Sequence, residues 1–180
     1  DIIAVSETWE TDINTDLIKI PGYNKCSRHR LNNETGGGVA LFIHNSIEYS
    51  AINSSTKTFE SVFVDLKTRN KGSTIIGAIY RPPGGSLADF YEELDSLLTS
   101  FTRSNNKNLI LAGDYNINLL NHNHHEATES FLNIMYSHRM LPMIKRPTRY
   151  GDSCATLIDN IFTNLLSESN FSGIVLDDIS

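Results

Sequence analysis

Short apolar runs of strand length recur along the chain, and each stops at a glycine, a proline or a polar side chain. Ile2–Val5, Val39–Ile43, Thr74–Tyr80, Leu109–Ala112 and Thr156–Phe162 are such runs. Runs of this length bounded by turn residues read as buried strands. Phe59, Val62, Val64 and Leu66 form a further, partly alternating strand. Lys71-Gly72 turns it into Thr74–Tyr80, which predicts a hairpin. Arg81-Pro82-Pro83-Gly84-Gly85 then ends the strand, because proline cannot donate to a ladder.

After that stop the period changes. Leu87, Phe90, Leu94, Leu97, Leu98 and Phe101 repeat at helical spacing behind Ser86, with Asp89 three residues on as in a capping box. Glu126–His138 reads as a second helix with Phe131, Ile134 and Met135 inward. Pro21-Gly22 is a turn, Asn24 to Thr35 is a polar stretch, Pro142 and Pro147 bracket a loop, and Ser172–Leu176 predicts the last strand. Strands outnumber helices and their connections mix hairpins with crossovers. That pattern predicts a sandwich of mixed α and β structure.

No repeat or change in composition divides the chain, so one domain over residues 1–180 is expected. Asp1 stands directly before a buried-strand run, which leads to the expectation of a domain cut short at both ends. No apolar run approaches the roughly 18 residues of a membrane span. Cys26 and Cys154 make neither a disulfide framework nor a CxxC, and are expected to be reduced, as in an intracellular chain. The formal charge of −6 argues against a sequence-independent nucleic-acid coat. It leaves room for an enzyme whose carboxylates are offset by a bound cation. The basic residues gather at Arg28-His29-Arg30 and at Lys145, Arg146 and Arg149, each readable as a solvated loop.

Polar residues at the ends of buried strands are the natural places for chemistry, because the strand is rigid and the following loop opens to solvent. Glu7, Tyr80, Asp114, Asn116 and Asp159 occupy such places. Each also has an ordinary reading. Glu7 is then a solvated strand end and Tyr80 an amphipathic core residue. Gly113-Asp114-Tyr115-Asn116 is then a simple turn. Asp159, set within Leu157-Ile158-Asp159-Asn160-Ile161-Phe162, needs a partner if buried.

SETWE at 6–10, GGGVALFI at 36–43, IYRPPGG at 79–85, LAGDYNIN at 111–118 and TLIDNIFTN at 156–164 follow one another in this order. Together they resemble the endonuclease/exonuclease/phosphatase family, which includes DNase I and the apurinic/apyrimidinic endonucleases. Trp9 after the Glu, the Tyr-Arg-Pro-Pro turn, Arg-Pro-Thr-Arg at 146–149 and the closing Ile-Phe-Thr-Asn are most similar to endonuclease domains of jockey-like non-LTR retrotransposons. The resemblance spans nearly the whole chain, and its strength lies in five motifs in register.

The resemblance implies a four-layer α/β sandwich, two packed mixed sheets flanked by helices, with the site at one end. It implies metal-dependent phosphodiester hydrolysis that nicks DNA to prime reverse transcription. The partners implied are DNA and a reverse transcriptase in the same polyprotein, and the place of action is the nucleus. By position, Glu7 matches the metal-binding carboxylate, Tyr80 a phosphate-contacting tyrosine and Asp114 the residue that orients or deprotonates the attacking water. Asn116 matches a phosphate-binding asparagine, and Asp159 the partner of a catalytic histidine. Thr148, Arg149 and Ser180 match substrate-side positions, Ser180 being the serine of a closing Ser-Asp-His.

The residue types suit that chemistry, since Mg²⁺, or Mn²⁺ in its place, takes oxygen ligands and one or two carboxylates with waters suffice. The family's asparagine before the first Glu and its closing Asp-His do not appear in this sequence, so the chain as given is expected to be catalytically impaired. His122, His124 and His125 read as a solvated loop rather than a metal cluster. The alternatives are another hydrolase of the same superfamily, of phosphoinositide phosphatase or deadenylase type, and an inactive relic of such an element. A lipid-head-group enzyme calls for a denser basic pocket and an apolar membrane loop than this sequence shows.

Overall fold

The computed structural model describes residues 1–30, 36–67, 73–103, 107–121, 125–151, 154–165, 167 and 170–175. Its core element is a mixed six-stranded sheet. The strands are β4 (Tyr49–Ile52), β5 (Glu60–Leu66), β6 (Thr74–Tyr80), β7 (Asn108–Asp114), β8 (Leu141–Pro142) and β11 (Asp159–Thr163), in the order β4-β5-β6-β7-β11-β8. β5 and β6 pair antiparallel, as the predicted hairpin requires, while the Lys71-Gly72 turn lies outside the described residues. β6 and β7 are parallel and are joined through α1 (Leu87–Thr102). Ser86 caps that helix, its hydroxyl accepting the Asp89 N–H. Parallel neighbours need such a crossover.

A second, three-stranded sheet has the order β1-β3-β2, from β1 (Ile2–Ser6), β2 (Tyr23–Arg28) and β3 (Val39–His44), all antiparallel. The two sheets pack face to face. Val39, Leu41 and Ile43 of the small sheet meet Val64, Ala78 and Tyr80 of the large one. The opposite face of the large sheet is covered by α1 and by α2 (Glu126–Ser137), around a core that includes Phe63, Ile79, Phe90, Leu94, Leu111, Phe131 and Phe162. Phe131 lies at the middle of that core, with ring centroids 5.2 Å from Tyr115 and 5.5 Å from Phe162.

This is the expected mixed sandwich of two packed sheets with helices. Both helices lie on the large sheet. On the outer face of the small sheet, Lys25, paired in register with buried Phe42, is held by Glu10 and Thr15. The turn-rich segment around Thr11–Leu17 therefore covers that face.

Three local readings are corrected. The polar stretch from Asn24 begins as strand β2, because its alternate residues pack on β3. Its residues 31–35 lie outside the description. The run Thr156–Phe162 is split: Ala155–Thr156 (β10) pairs with Arg149–Tyr150 (β9) in a separate hairpin, and only Asp159–Thr163 joins the large sheet. Residues 172–175 form no strand, and Leu176 lies outside the described residues.

Candidate active site

Four adjacent strands each bring one polar residue to a common row. Glu60 stands opposite Tyr80, Tyr80 opposite Asp114, and Asp114 opposite Asp159. Tyr80 packs with Ala78 toward the small sheet. Cross-strand partners share a face, so the whole row looks the same way. It sits where β6 and β7 end. β1 ends beside it, and the Tyr80 hydroxyl donates to Glu7 Oε1 at 2.8 Å.

The chain around Glu7 is bent to make that meeting. Glu7 and Trp9 both hold positive φ, 54° and 53°, which is uncommon for residues with side chains. The Thr8 N–H donates to Gly38 O at 3.3 Å and the Trp9 N–H to Gly37 O at 2.9 Å. Gly38 has φ 87°, and a Cβ there would run into the Thr8 hydroxyl. The Gly38 N–H in turn donates to Glu60 Oε2 at 3.0 Å. Glu60 Oε1 takes the Arg30 Nε–H at 2.7 Å, and the Arg30 guanidinium lies 6.0 Å from the Tyr80 ring centroid. Glycine at 38 thus lets two loops close against a buried carboxylate.

Asp114 is 2% exposed. It accepts the Asn116 N–H at 2.8 Å and faces Arg149 Nη2 at 3.4 Å. Burial, with Asp159 and Glu7 adding to it, pushes its carboxyl up to about 6 against the pull of the Asn116 N–H and the Arg149 charge. Tyr80 is pushed up to about 12, first by burial and then by its bond to Glu7. Asn116 has φ 48°, a conformation asparagine tolerates, and its amide donates to Arg81 O at 2.8 Å. The simple-turn reading of Gly113-Asp114 gives way here, because β7 runs through both residues and the Asp114 carboxylate holds the turn that follows by accepting the Asn116 N–H.

Asp159 accepts the Thr148 hydroxyl at 2.7 Å. Thr148 is therefore tied to that carboxylate, while Arg149 is exposed at the rim. Glu7, Tyr80, Asp114, Asn116, Asp159, Thr148 and Arg149 thus gather at one end of the sandwich. Ser180, His122 and His124 lie outside the described residues. His125 precedes α2 as its N-cap, and His29, His44 and His138 bond Asp12, Ser46 and Asp95. Among the described residues no histidine bonds Asp159.

Two residues of the site, Glu60 and Arg81, were not singled out from the sequence, and Arg30 was read only as part of a basic group. Glu60 and Arg30 support the Glu7 turn. Arg81 is buried and donates to Tyr115 O at 2.7 Å and Asn116 O at 2.9 Å, which fixes the turn after Asp114. Glu60 carried one signal, an acid at the start of an apolar strand. The Arg28–Arg30 group is not a free loop, since Arg28 donates to Thr56 Oγ1 at 2.8 Å and Arg30 to Glu60.

Among the described residues no group of three or more His, Cys, Asp or Glu side chains surrounds a point where a metal could sit. Glu7 is the exposed carboxylate of the site, and Asp114 and Asp159 crowd negative charge behind it. That donor set fits a hard cation held by one carboxylate and water, not a closed protein cage.

A carboxylate and a hydroxyl held together over a buried aspartate, at the mouth of a two-sheet sandwich, are suited to hydrolysis. The chain matches the Endonuclease/Exonuclease/phosphatase family over residues 1–177, and belongs to it. No curated protein sequence matches the chain. Among solved structures it is similar to the endonuclease domain of TRAS1, a telomere-specific non-LTR retrotransposon, at 14% identity and TM-score 0.63 over 79% of this chain and 67% of that one. It is also similar to the AP endonuclease LMAP from Leishmania major, at 14% identity and TM-score 0.63 over 91% of this chain and 69% of that one. A third is ANGEL2, a 2′,3′-cyclic phosphatase, at 11% identity and TM-score 0.61 over 91% and 69%. At these identities the likeness is one of fold.

Proposed function

We propose that the chain is a divalent-cation-dependent DNA endonuclease domain that nicks one strand to expose a 3′-hydroxyl for reverse transcription, within a non-LTR retrotransposon polyprotein that acts in the nucleus. The observation that carries the reading is the row Tyr80–Asp114–Asp159 with Glu7 bonded to Tyr80. The resemblance of the sequence motifs to retrotransposon endonucleases supports DNA as the substrate, and the likeness in fold to the TRAS1 endonuclease domain is consistent with it.

Glu7 would hold Mg²⁺ or Mn²⁺, which supplies Lewis-acid neutralisation of charge on the phosphate oxygens. Asp114 orients the attacking water and takes its proton, as its raised affinity for protons suits it to do. Asn116 donates its second amide hydrogen to the non-bridging oxygens as charge develops there, and Tyr80 turns to them the hydroxyl hydrogen that Glu7 accepts in the substrate-free chain. Asp159, held by Thr148, stands beside Asp114 and raises its basicity. Arg149 contacts a flanking phosphate.

Nicking of supercoiled plasmid in Mg²⁺ or EDTA by the endonuclease domain with the family's asparagine and closing Asp-His supplied, beside Asp114→Ala, tests this. The expected outcome is Mg²⁺-dependent nicking that falls by about 10²–10⁴-fold in the variant. Turnover of a 2′,3′-cyclic phosphate with no plasmid nicking would move the reading to a phosphatase of the kind named for ANGEL2 among the structural neighbours.

A further inference from the structure

The chain has a single tryptophan, and it is 62% exposed. Trp9 stands two residues from Glu7. An indole that large is ordinarily a core or interface residue, because it carries so much apolar area. Its exposure is built into the backbone. Glu7 and Trp9 both occupy the left-handed region, and the N–H groups of Thr8 and Trp9 are fixed to Gly38 O and Gly37 O. Positive φ at a bulky side chain is costly and persists only where its surroundings over-determine it. One turn therefore does two things: it delivers the Glu7 carboxylate to the Tyr80 hydroxyl, and it leaves the indole two residues further along exposed to solvent.

We propose that Trp9 is a substrate-positioning residue that stacks on a nucleobase flanking the scissile phosphate, so that the site selects polynucleotides over phosphoesters that carry no aromatic group. The proposal rests on the nuclease reading above and deepens it. Bases offer a π face whatever their sequence, and stacking on an aromatic side chain is sequence-tolerant. A sugar phosphate or an inositol head group offers no such face. The base that stacks must leave its own neighbours in part, so single-stranded or frayed DNA gains more from Trp9 than a closed duplex does.

The lone indole is also the reporter. The test uses this 180-residue chain carrying Asp114→Asn, which prevents turnover, in Mg²⁺ with a dye-labelled single-stranded oligonucleotide. Dye anisotropy measures binding, and tryptophan emission measures stacking in the same titration. Emission is expected to be quenched and to saturate with the anisotropy. In the nicking-competent chain, Trp9→Ala is expected to raise KM for DNA about 10- to 100-fold with a much smaller change in kcat. Trp9→Phe is expected to recover most of that loss, which a purely structural role would not predict for a side chain in solvent. Binding by anisotropy with unchanged emission, or a Trp9→Ala variant with unaltered KM, overturns the proposal and leaves the nuclease reading standing. No DNA binding by anisotropy overturns both.

Discussion

Tyr80 and Asp114 neighbour each other across two strands and are held in opposite proton states at neutral pH. Tyr80, pushed up to about 12, keeps its hydrogen and gives it to Glu7. Asp114, pushed up to about 6 from an ordinary 3.8, is ionised at pH 7 yet basic enough to take a proton from water. The free enzyme should therefore lose kcat/KM as pH falls through about 6, because protonation removes the base. Two substitutions should move that limb in opposite directions. Arg149→Ala removes a positive charge that favours the carboxylate, so the limb moves to higher pH. Asp159→Asn removes a negative charge that disfavours it, so the limb moves to lower pH. A pH–rate profile of plasmid nicking for the three proteins checks both signs. A limb that ignores both changes would remove Asp114 from the role of base.

At the scale of elements, the site depends on the register between β6 and β7. That pairing is unusually close at Gly113, which lies opposite Ile79: a Cβ on Gly113 would overlap the Ile79 carbonyl. Gly113→Ala should force the two strands apart at the place where Tyr80 meets Asp114. The expected cost is about 1–3 kcal/mol in urea denaturation, typical of overpacking, together with a fall in nicking larger than the fraction unfolded explains. Stability loss with full specific activity in the folded fraction would show that the register tolerates the shift. This glycine also shows what was legible in the sequence. The apolar runs located β1, β3, β6 and β7, the helical spacing located α1, and the strand ends located Glu7, Tyr80, Asp114 and Asp159. The polar edge strands β2 and β4 lack an apolar run of their own; they are strands because β3 and β5 offer them a ladder. Glu60, Arg30 and Arg81 work through partners some 30 residues away in the chain, and no local pattern records such a bond. Gly113 read as a turn because glycine favours turns, whereas here it makes room for a neighbouring backbone.

For the molecule as a whole, the site is a concentration of like charge at one end of a chain already at −6. Metal-free, the folded state binds a proton at Asp114 more readily than the unfolded chain does, since 6 lies above 3.8. The stabilisation this gives is fully present below about pH 4 and is lost as pH rises through about 6, at no more than about 1.4 kcal/mol per pH unit. At neutral pH the folded protein therefore holds three neighbouring carboxylates, Glu7, Asp114 and Asp159, with Arg149 as the cation paired with Asp114. A divalent cation bound at Glu7 would offset their negative charge, and a ligand that binds only the folded state raises stability by about 2.7 kcal/mol at a hundred times its Kd. Thermal melting at pH 7 should then shift upward with Mg²⁺ and not with the same ionic strength of Na⁺. The shift should shrink at pH 5, where protons compensate Asp114 instead, and it should vanish in Glu7→Gln. An equal Mg²⁺ shift in wild type and Glu7→Gln would put the cation away from Glu7, and the hydrolytic chemistry assigned to this end of the sandwich would have to be rebuilt around another ligand.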